Sequence, residues 1–156
     1  VRAYHFVNMY TAGIHTGIQG GHARDELWLQ MLENLDGHKA QMFLDWARNH
    51  KTHIYLGGGD CDGLQATVDL FTDTPYPMAT FNESIGALNG ALTSMCVILP
   101  PQVYMLKEFK RQWENTWAET KAANLSAVRR YEKEYGKVQE IDFTIGRALM
   151  KYPLAR

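Results

Sequence analysis

The segment Gly13–His22, reading GIHTGIQGGH, constrains the fold of this chain more than any other stretch of its length. It joins an apolar run, Tyr4–Met9, to a long stretch of amphipathic spacing, and so marks the passage from a strand into a helix. Four glycines stand in it, beside two histidines and a glutamine. Each glycine costs a helix roughly 1 kcal/mol relative to alanine, so the cluster needs a physical reason. Two remain open: close approach of the helix backbone to the sheet or to a ligand, and a cradle of N–H groups at a positive helix terminus, suited to anions.

The remainder alternates between strand and helix patterns. Apolar runs predict strands at Tyr4–Met9, Thr52–Leu56, Met78–Phe81 and Leu92–Leu99. Helical spacing runs from about Ile14 to Leu35, with Ile18, Leu27, Met31 and Leu35 inward and Trp28 and Leu32 alongside. A second helix covers Ala40–Asn49, with Met42, Phe43, Trp46 and Ala47 inward, and a third covers Asp62–Phe71, capped by Asp60 or Asp62. This order predicts an α/β domain: a small four-stranded mixed sheet with helices on both faces. Pro100-Pro101 ends it, since neither proline continues a strand or donates a hydrogen bond. Beyond lie Val103, Leu106, Phe109, Trp113 and Trp117 on one helical face, continued through Leu125, Val128 and Tyr131 until Gly136. A last stripe is formed by Ile141, Ile145, Leu149 and Tyr152. The expected organisation is an α/β domain over residues 1–101 with a helical extension, residues 102–156, packed on it.

Charge divides at the same boundary. Residues 1–102 hold five Lys and Arg against ten Asp and Glu, whereas residues 103–156 hold eleven against seven. The first part is thus no obvious nucleic-acid surface; the basic tail either embraces it or offers a phosphate-facing patch, a solvated helical face being the simpler account. No apolar run approaches the roughly 18 residues of a membrane span, and the start does not read as a signal peptide. Cys61 and Cys96 make no metal motif and read as reduced thiols of a cytoplasmic protein. His50 and His53 with Cys61 or Asp60 match no standard metal spacing, and Gly57–Asp60 lacks the lysine and hydroxyl of a phosphate loop. No metal and no cofactor is expected.

Two segments together resemble a known family. Gln19-Gly20-Gly21-His22-Ala23, after a strand and a small-residue turn, is similar to the first helix of type-2 peptidyl-tRNA hydrolases, whose signature runs lysine, small residues, then Gln-x-x-His-Ala. Leu88-Asn89-Gly90-Ala91-Leu92-Thr93, running into Cys96–Pro100, resembles that family's closing loop and strand. The resemblance spans roughly residues 3–101 and extends to compact bacteriophage proteins of this fold, in which a similar Leu-Asn-Gly/Asn-Ala-Leu-Thr stretch occurs. It implies a peptidyl-tRNA hydrolase type 2-like fold with site residues at Gln19, His22 and Thr93. The chain departs from the pattern elsewhere. His15 stands in place of the family's lysine, Glu83 is the nearest acid to the aspartate of the loop after the third strand, and Ser84 is the nearest residue to that loop's threonine.

His15, Gln19 and His22 are spaced i, i+4 and i+7, so they share a face if the helix begins by His15. Ester hydrolysis needs an activated water and donors for the developing oxyanion. A neutral histidine can accept the proton, glutamine can orient the water or polarise the carbonyl, and Glu83 can orient a histidine. Against this, His22 also reads as a packed histidine at the helix–sheet seam. The candidate catalytic set is His15, Gln19, His22, Glu83 and Thr93, with Gly13, Thr16, Gly17, Asn82, Ser84 and Asn89 around the substrate. The expected activity is hydrolysis of an aminoacyl or peptidyl ester of tRNA or of a related nucleotide-linked substrate. The alternative is a non-catalytic nucleotide- or protein-binding protein on the same scaffold, such as a phage host-interaction or counter-defence factor. A third reading is a homodimer formed through the aromatic face of the tail.

Overall fold

The computed structural model describes residues 1–106 and 121–155, with backbone alone over residues 121–126. Four strands, β1 (Arg2–Val7), β2 (His53–Gly57), β3 (Met78–Asn82) and β4 (Leu92–Leu99), form one mixed sheet in the order β2-β1-β4-β3. β1 and β2 are parallel, and β4 runs antiparallel to both of its neighbours. The strands β1, β2 and β3 therefore all end at the same edge of the sheet. That edge gathers the loops after Val7, Gly57 and Asn82 around the start of β4.

The helices are α1 (Ile14–Leu32), α2 (His38–Asp45), α3 (Cys61–Phe71) and the single turn α4 (Ile85–Leu88). A π-type turn, Trp46–His50, extends α2 and ends at Lys51, whose φ of 55° turns the chain toward β2. The expected mixed α/β sheet with helices on both faces is what the chain forms. One sheet face packs Ala3, Ala79, Cys96 and Ile98 against Ala23 and Leu27 of α1, with Phe43 and Trp46. On the other face Phe6 meets Phe71 of α3, with ring centroids 6.0 Å apart, and the edge of Tyr152 at 4.8 Å.

Two compact units divide at Pro100: residues 1–99 together with the segment from Tyr152 onward, and Pro100–Lys151. The final residues, read from the sequence with the tail, belong to the first unit. Leu154 bridges Leu56, Gly57 N–H donates to the Pro153 carbonyl, and the hydroxyls of Thr67 and Tyr152 lie 2.7 Å apart. The second unit contains α5 (Pro101–Tyr104), α6 (Lys121–Tyr135) and α7 (Glu140–Leu149). Leu106 and Tyr131 are buried there among Met105, Val128, Val138 and Phe143. Gly136, with φ of 104°, ends α6 as the sequence indicated. Phe109, Trp113, Trp117 and the side chain of Leu125 lie outside the described residues.

The buried face of α1 is not the apolar stripe expected from the spacing. Thr16, Gln19, Gly20, Ala23 and Leu27 are buried, whereas Ile18, Trp28, Leu32 and Leu35 are exposed and Met31 is only partly covered. The helix also ends at Leu32 rather than Leu35. The reason is steric. A β-carbon on Gly20 would sit 2.6 Å from Cε1 of Tyr55 and 3.2 Å from Nδ1 of His5, so only glycine lets the helix axis come this close to the sheet. Gly17 and Gly21 face open space. The close-approach explanation thus holds for Gly20, while Gly13, with φ of 57°, supplies the turn into the helix.

A contrast follows. Gly17→Ala and Gly21→Ala are expected to stabilise the fold by about 0.5–1 kcal/mol each through helix propensity. Gly20→Ala is expected to destabilise it by about 1–2 kcal/mol, overpacking outweighing that gain. Urea denaturation of the three variants checks both signs.

Candidate functional site

Side chains from both motifs converge at the sheet edge. Gln19, buried on the second turn of α1, is bonded at both ends of its amide. Thr93 Oγ1 at the start of β4 donates to Gln19 Oε1 (2.6 Å), and Gln19 Nε2 donates to Glu83 Oε1 (2.7 Å). Thr93 Oγ1 also lies 3.3 Å from the Phe81 carbonyl; with one hydroxyl proton, the shorter bond to Gln19 takes the donation. Ser94 Oγ donates to the Gln19 backbone carbonyl (2.6 Å), which pins the same helical turn from the sheet.

Glu83 reaches Gln19 because of the loop that carries it. Its backbone N–H donates to the Ala91 carbonyl at 2.9 Å, closing the loop across its base. Ser84 caps the α4 turn by accepting from Ala87 N–H (3.2 Å), Asn82 Nδ2 donates to the Gly90 carbonyl (3.0 Å), and Asn89 occupies the left-handed position that ends α4, with φ of 51°. These three candidate substrate contacts hold the loop together. The sequence foresaw a turn at Asn89-Gly90 but not the α4 turn before it. The second oxygen of Glu83 accepts only a long 3.3 Å bond from Ser84 N–H among the described residues, and so keeps lone-pair capacity for a further donor.

The histidines divide. His15 is exposed and its ring has no hydrogen-bond partner among the described residues. His22 is half-buried with its ring 4.5 Å from that of Phe81, and its buried Nδ1 has no hydrogen-bond partner among the described residues. A lone pair in that position costs less than an N–H lacking an acceptor, so of the two tautomers the one with its proton on Nε2 is favoured. Glu83 orients neither ring through a hydrogen bond; it bonds Gln19 instead. Thr16 is buried with its hydroxyl 3.5 Å from the Thr11 carbonyl, while Gly13 and Gly17 leave the helix entrance uncluttered.

Asn8 is a site-edge residue that the strand reading of Tyr4–Met9 concealed. The strand stops at Val7, and Asn8 Nδ2 donates to the Leu92 carbonyl (3.2 Å) and to Cys61 Sγ (3.4 Å) while its Oδ1 accepts from Tyr10 N–H (3.1 Å). The glycine run joins the same edge, with Gly58 N–H donating to the Val7 carbonyl and Met9 N–H to the Gly59 carbonyl. Around this edge stand exposed apolar side chains, among them Tyr10 (79% exposed), Ile14 (77%) and Ile85 (82%).

A buried histidine pair also escaped the sequence reading. His5 is fully buried in β1, its Nδ1 3.0 Å from the Gly20 carbonyl and its Nε2 2.8 Å from Nδ1 of His53. Tyr55 stacks on His5 with centroids 4.5 Å apart, and Trp46 meets His53 edge-on at 5.0 Å. Burial first, then the neighbouring His53, pushes His5 down to about 3. Burial also lowers His53. Burial raises the Cys96 thiol far above its ordinary value, which leaves it unreactive. With His53 committed to His5, His50 3.5 Å from Asp45, and Asp60 capping α3 through Gly63 N–H (2.9 Å), these groups do not assemble as metal ligands. Among the described residues no group of three or more His, Cys, Asp or Glu is placed to hold a metal ion, and no helix is long and apolar enough to cross a membrane.

No protein-family model matches the sequence, and comparison with curated proteins gave no significant match.

Proposed function

We propose that the Gln19–Glu83–Thr93 cluster is the reactive centre of a peptidyl-tRNA hydrolase type 2-like enzyme acting on an acyl ester of tRNA or of a related nucleotide-linked substrate. The observation that carries this reading is the amide of Gln19, held by Thr93 at its oxygen and donating to Glu83 at its nitrogen. These are three residues singled out by the two resembling segments and the loop between them. In this scheme the open oxygen of Glu83 accepts a proton from water as the water oxygen attacks the ester carbonyl. The second Nε2 hydrogen of Gln19, uncommitted among the described residues, stabilises the developing oxyanion. Collapse of the tetrahedral intermediate breaks the ester C–O bond, and the proton held by Glu83 passes to the departing ribose oxygen. His15 at the exposed start of α1 serves as a phosphate contact when charged, in place of the family's lysine.

The test is release of free tRNA from a peptidyl-tRNA analogue. Turnover in the wild type is expected, with His15→Ala raising KM by about tenfold at nearly unchanged kcat, as for loss of uniform binding. Absence of turnover across pH 6–9 rejects the reading.

A second reading, a non-catalytic binding protein on the same scaffold, is favoured by the exposed apolar side chains of Tyr10, Ile14, Ile85 and Leu88 on the segments around the cluster. It predicts a ligand-dependent rise in melting temperature with nucleotide or tRNA and no product release.

A further inference from the structure

Two consecutive carbonyls of α1 are gripped from the sheet: that of Gln19 by Ser94 of β4, and that of Gly20 by His5 of β1. The second grip has a direction. A carbonyl only accepts, so His5 Nδ1 carries the proton and its Nε2 presents a lone pair. His53 Nδ1, 2.8 Å away, must then be the donor. The hydrogen bonds run from β2 through β1 to the helix, and they end one residue from the amide that links Thr93 to Glu83. Gly20 is the residue that admits this arrangement, because any β-carbon there would collide with Tyr55 and crowd His5.

We propose that His5 and His53 form a positioning pair for Gln19, fixing the helical turn from which its amide reaches Thr93 and Glu83. The proposal rests on the reading of that cluster as the reactive centre. It has a built-in proton limit. A proton added at His5 Nε2 meets the Nδ1–H of His53, so the His53-to-His5 bond keeps this direction only while His5 is neutral, whereas the bond from His5 Nδ1 to the Gly20 carbonyl persists. The titratable and charged groups facing the pair are Arg24 from α1, Tyr55 beside His53 on β2, and Cys96 opposite His5 on β4. Arg24 opposes protonation of both rings, and burial opposes it more strongly. The His53-to-His5 bond therefore keeps its direction through neutral pH and is lost or reversed in acid.

Long-range 1H–15N spectra of the wild type are expected to show His5 protonated at Nδ1 and bare at Nε2, with His53 protonated at Nδ1. On acidification the Gln19 side-chain amide resonances are expected to shift along with the His53 ring. His53→Phe, which removes the donor, is expected to shift the Gln19 amide and to lower turnover about tenfold, the scale of a small misplacement of a reacting group. His53→Asn, which restores an N–H donor, is expected to recover most of both. The proposal fails if His5 carries its proton on Nε2, or if the Gln19 amide is unmoved both by acidification and by His53→Phe. The spectra do not depend on turnover. If Gln19 responds as expected while no form of the protein hydrolyses ester, the positioning role stands and the assigned reaction falls. If the wild type hydrolyses ester and His53→Phe does so equally fast with Gln19 unmoved, the positioning role falls alone.

Discussion

Lowering the pH from 7.5 to 4 is expected to remove several kcal/mol of folding stability, the largest part of it through His5. In the folded chain this ring is pushed down to about 3 by burial and by His53 beside it. In the unfolded chain it returns to about 6.5. The unfolded state thus takes up the proton first. The contribution of the neutral pair is complete above about pH 6.5 and is lost as the pH falls toward 3, at up to about 1.4 kcal/mol per pH unit for the one proton taken up by His5. For His5 alone this amounts to about 5 kcal/mol across the whole window, about 3 kcal/mol of it by pH 4, and His53, also lowered, adds in the same direction. That is comparable to the whole stability of many domains, on the order of 5–15 kcal/mol. Urea titrations at pH 7.5, 6, 5 and 4 measure it. The double variant His5→Phe, His53→Phe keeps aromatic rings in both places without a titrating group, and its stability is expected to lose less than half as much over the same range. An equal loss in variant and wild type would place the acid sensitivity elsewhere.

Gln19→Ala is expected to lower kcat/KM by about 100- to 1,000-fold, the range for loss of a preorganised oxyanion donor, while costing stability only about 1–3 kcal/mol from the unpaired partners. The amide does two tasks in the proposed centre. It orients Glu83, and it offers its remaining N–H to the carbonyl oxygen. Glu83→Gln removes the proton acceptor and is expected to cost about 100- to 10,000-fold. Because the two residues act as a unit, the double variant should be scarcely worse than the more damaging single one. Thr93→Val removes the hydroxyl that fixes the amide's orientation and should cost about tenfold, acting through position alone. Steady-state kinetics on the four proteins, with urea denaturation in parallel, separates these effects from unfolding.

Much of the architecture was legible from local pattern. The β4 boundaries follow from the apolar run Leu92–Leu99, and Phe43 and Trp46 are buried as their spacing indicated. The spacing misled on α1, because periodicity scores side-chain size and polarity, whereas this helix packs through Gly20 and Ala23 and leaves Ile18 exposed. The joining of Gln19 to Thr93 was legible only as two separate segments of a resemblance, since it brings together residues 74 apart in sequence. Glu83 was named as the acid of its loop, but its partner was expected to be a histidine. The single turn Ile85–Leu88 that sets its reach is too short to leave a periodic signal. The His5–His53 pair left no trace, since each histidine stands alone in an apolar strand and only the parallel register of β1 and β2 puts their rings side by side.

The most direct test of the central claim is a single-turnover assay of peptidyl-tRNA cleavage at pH 7.5 with the wild type, Glu83→Gln and Gln19→Ala. The account predicts release of free tRNA by the wild type and a loss of at least about 100-fold in each variant, both remaining folded. Release at equal rates by all three proteins, or no release by the wild type while tRNA raises its melting temperature, would contradict it.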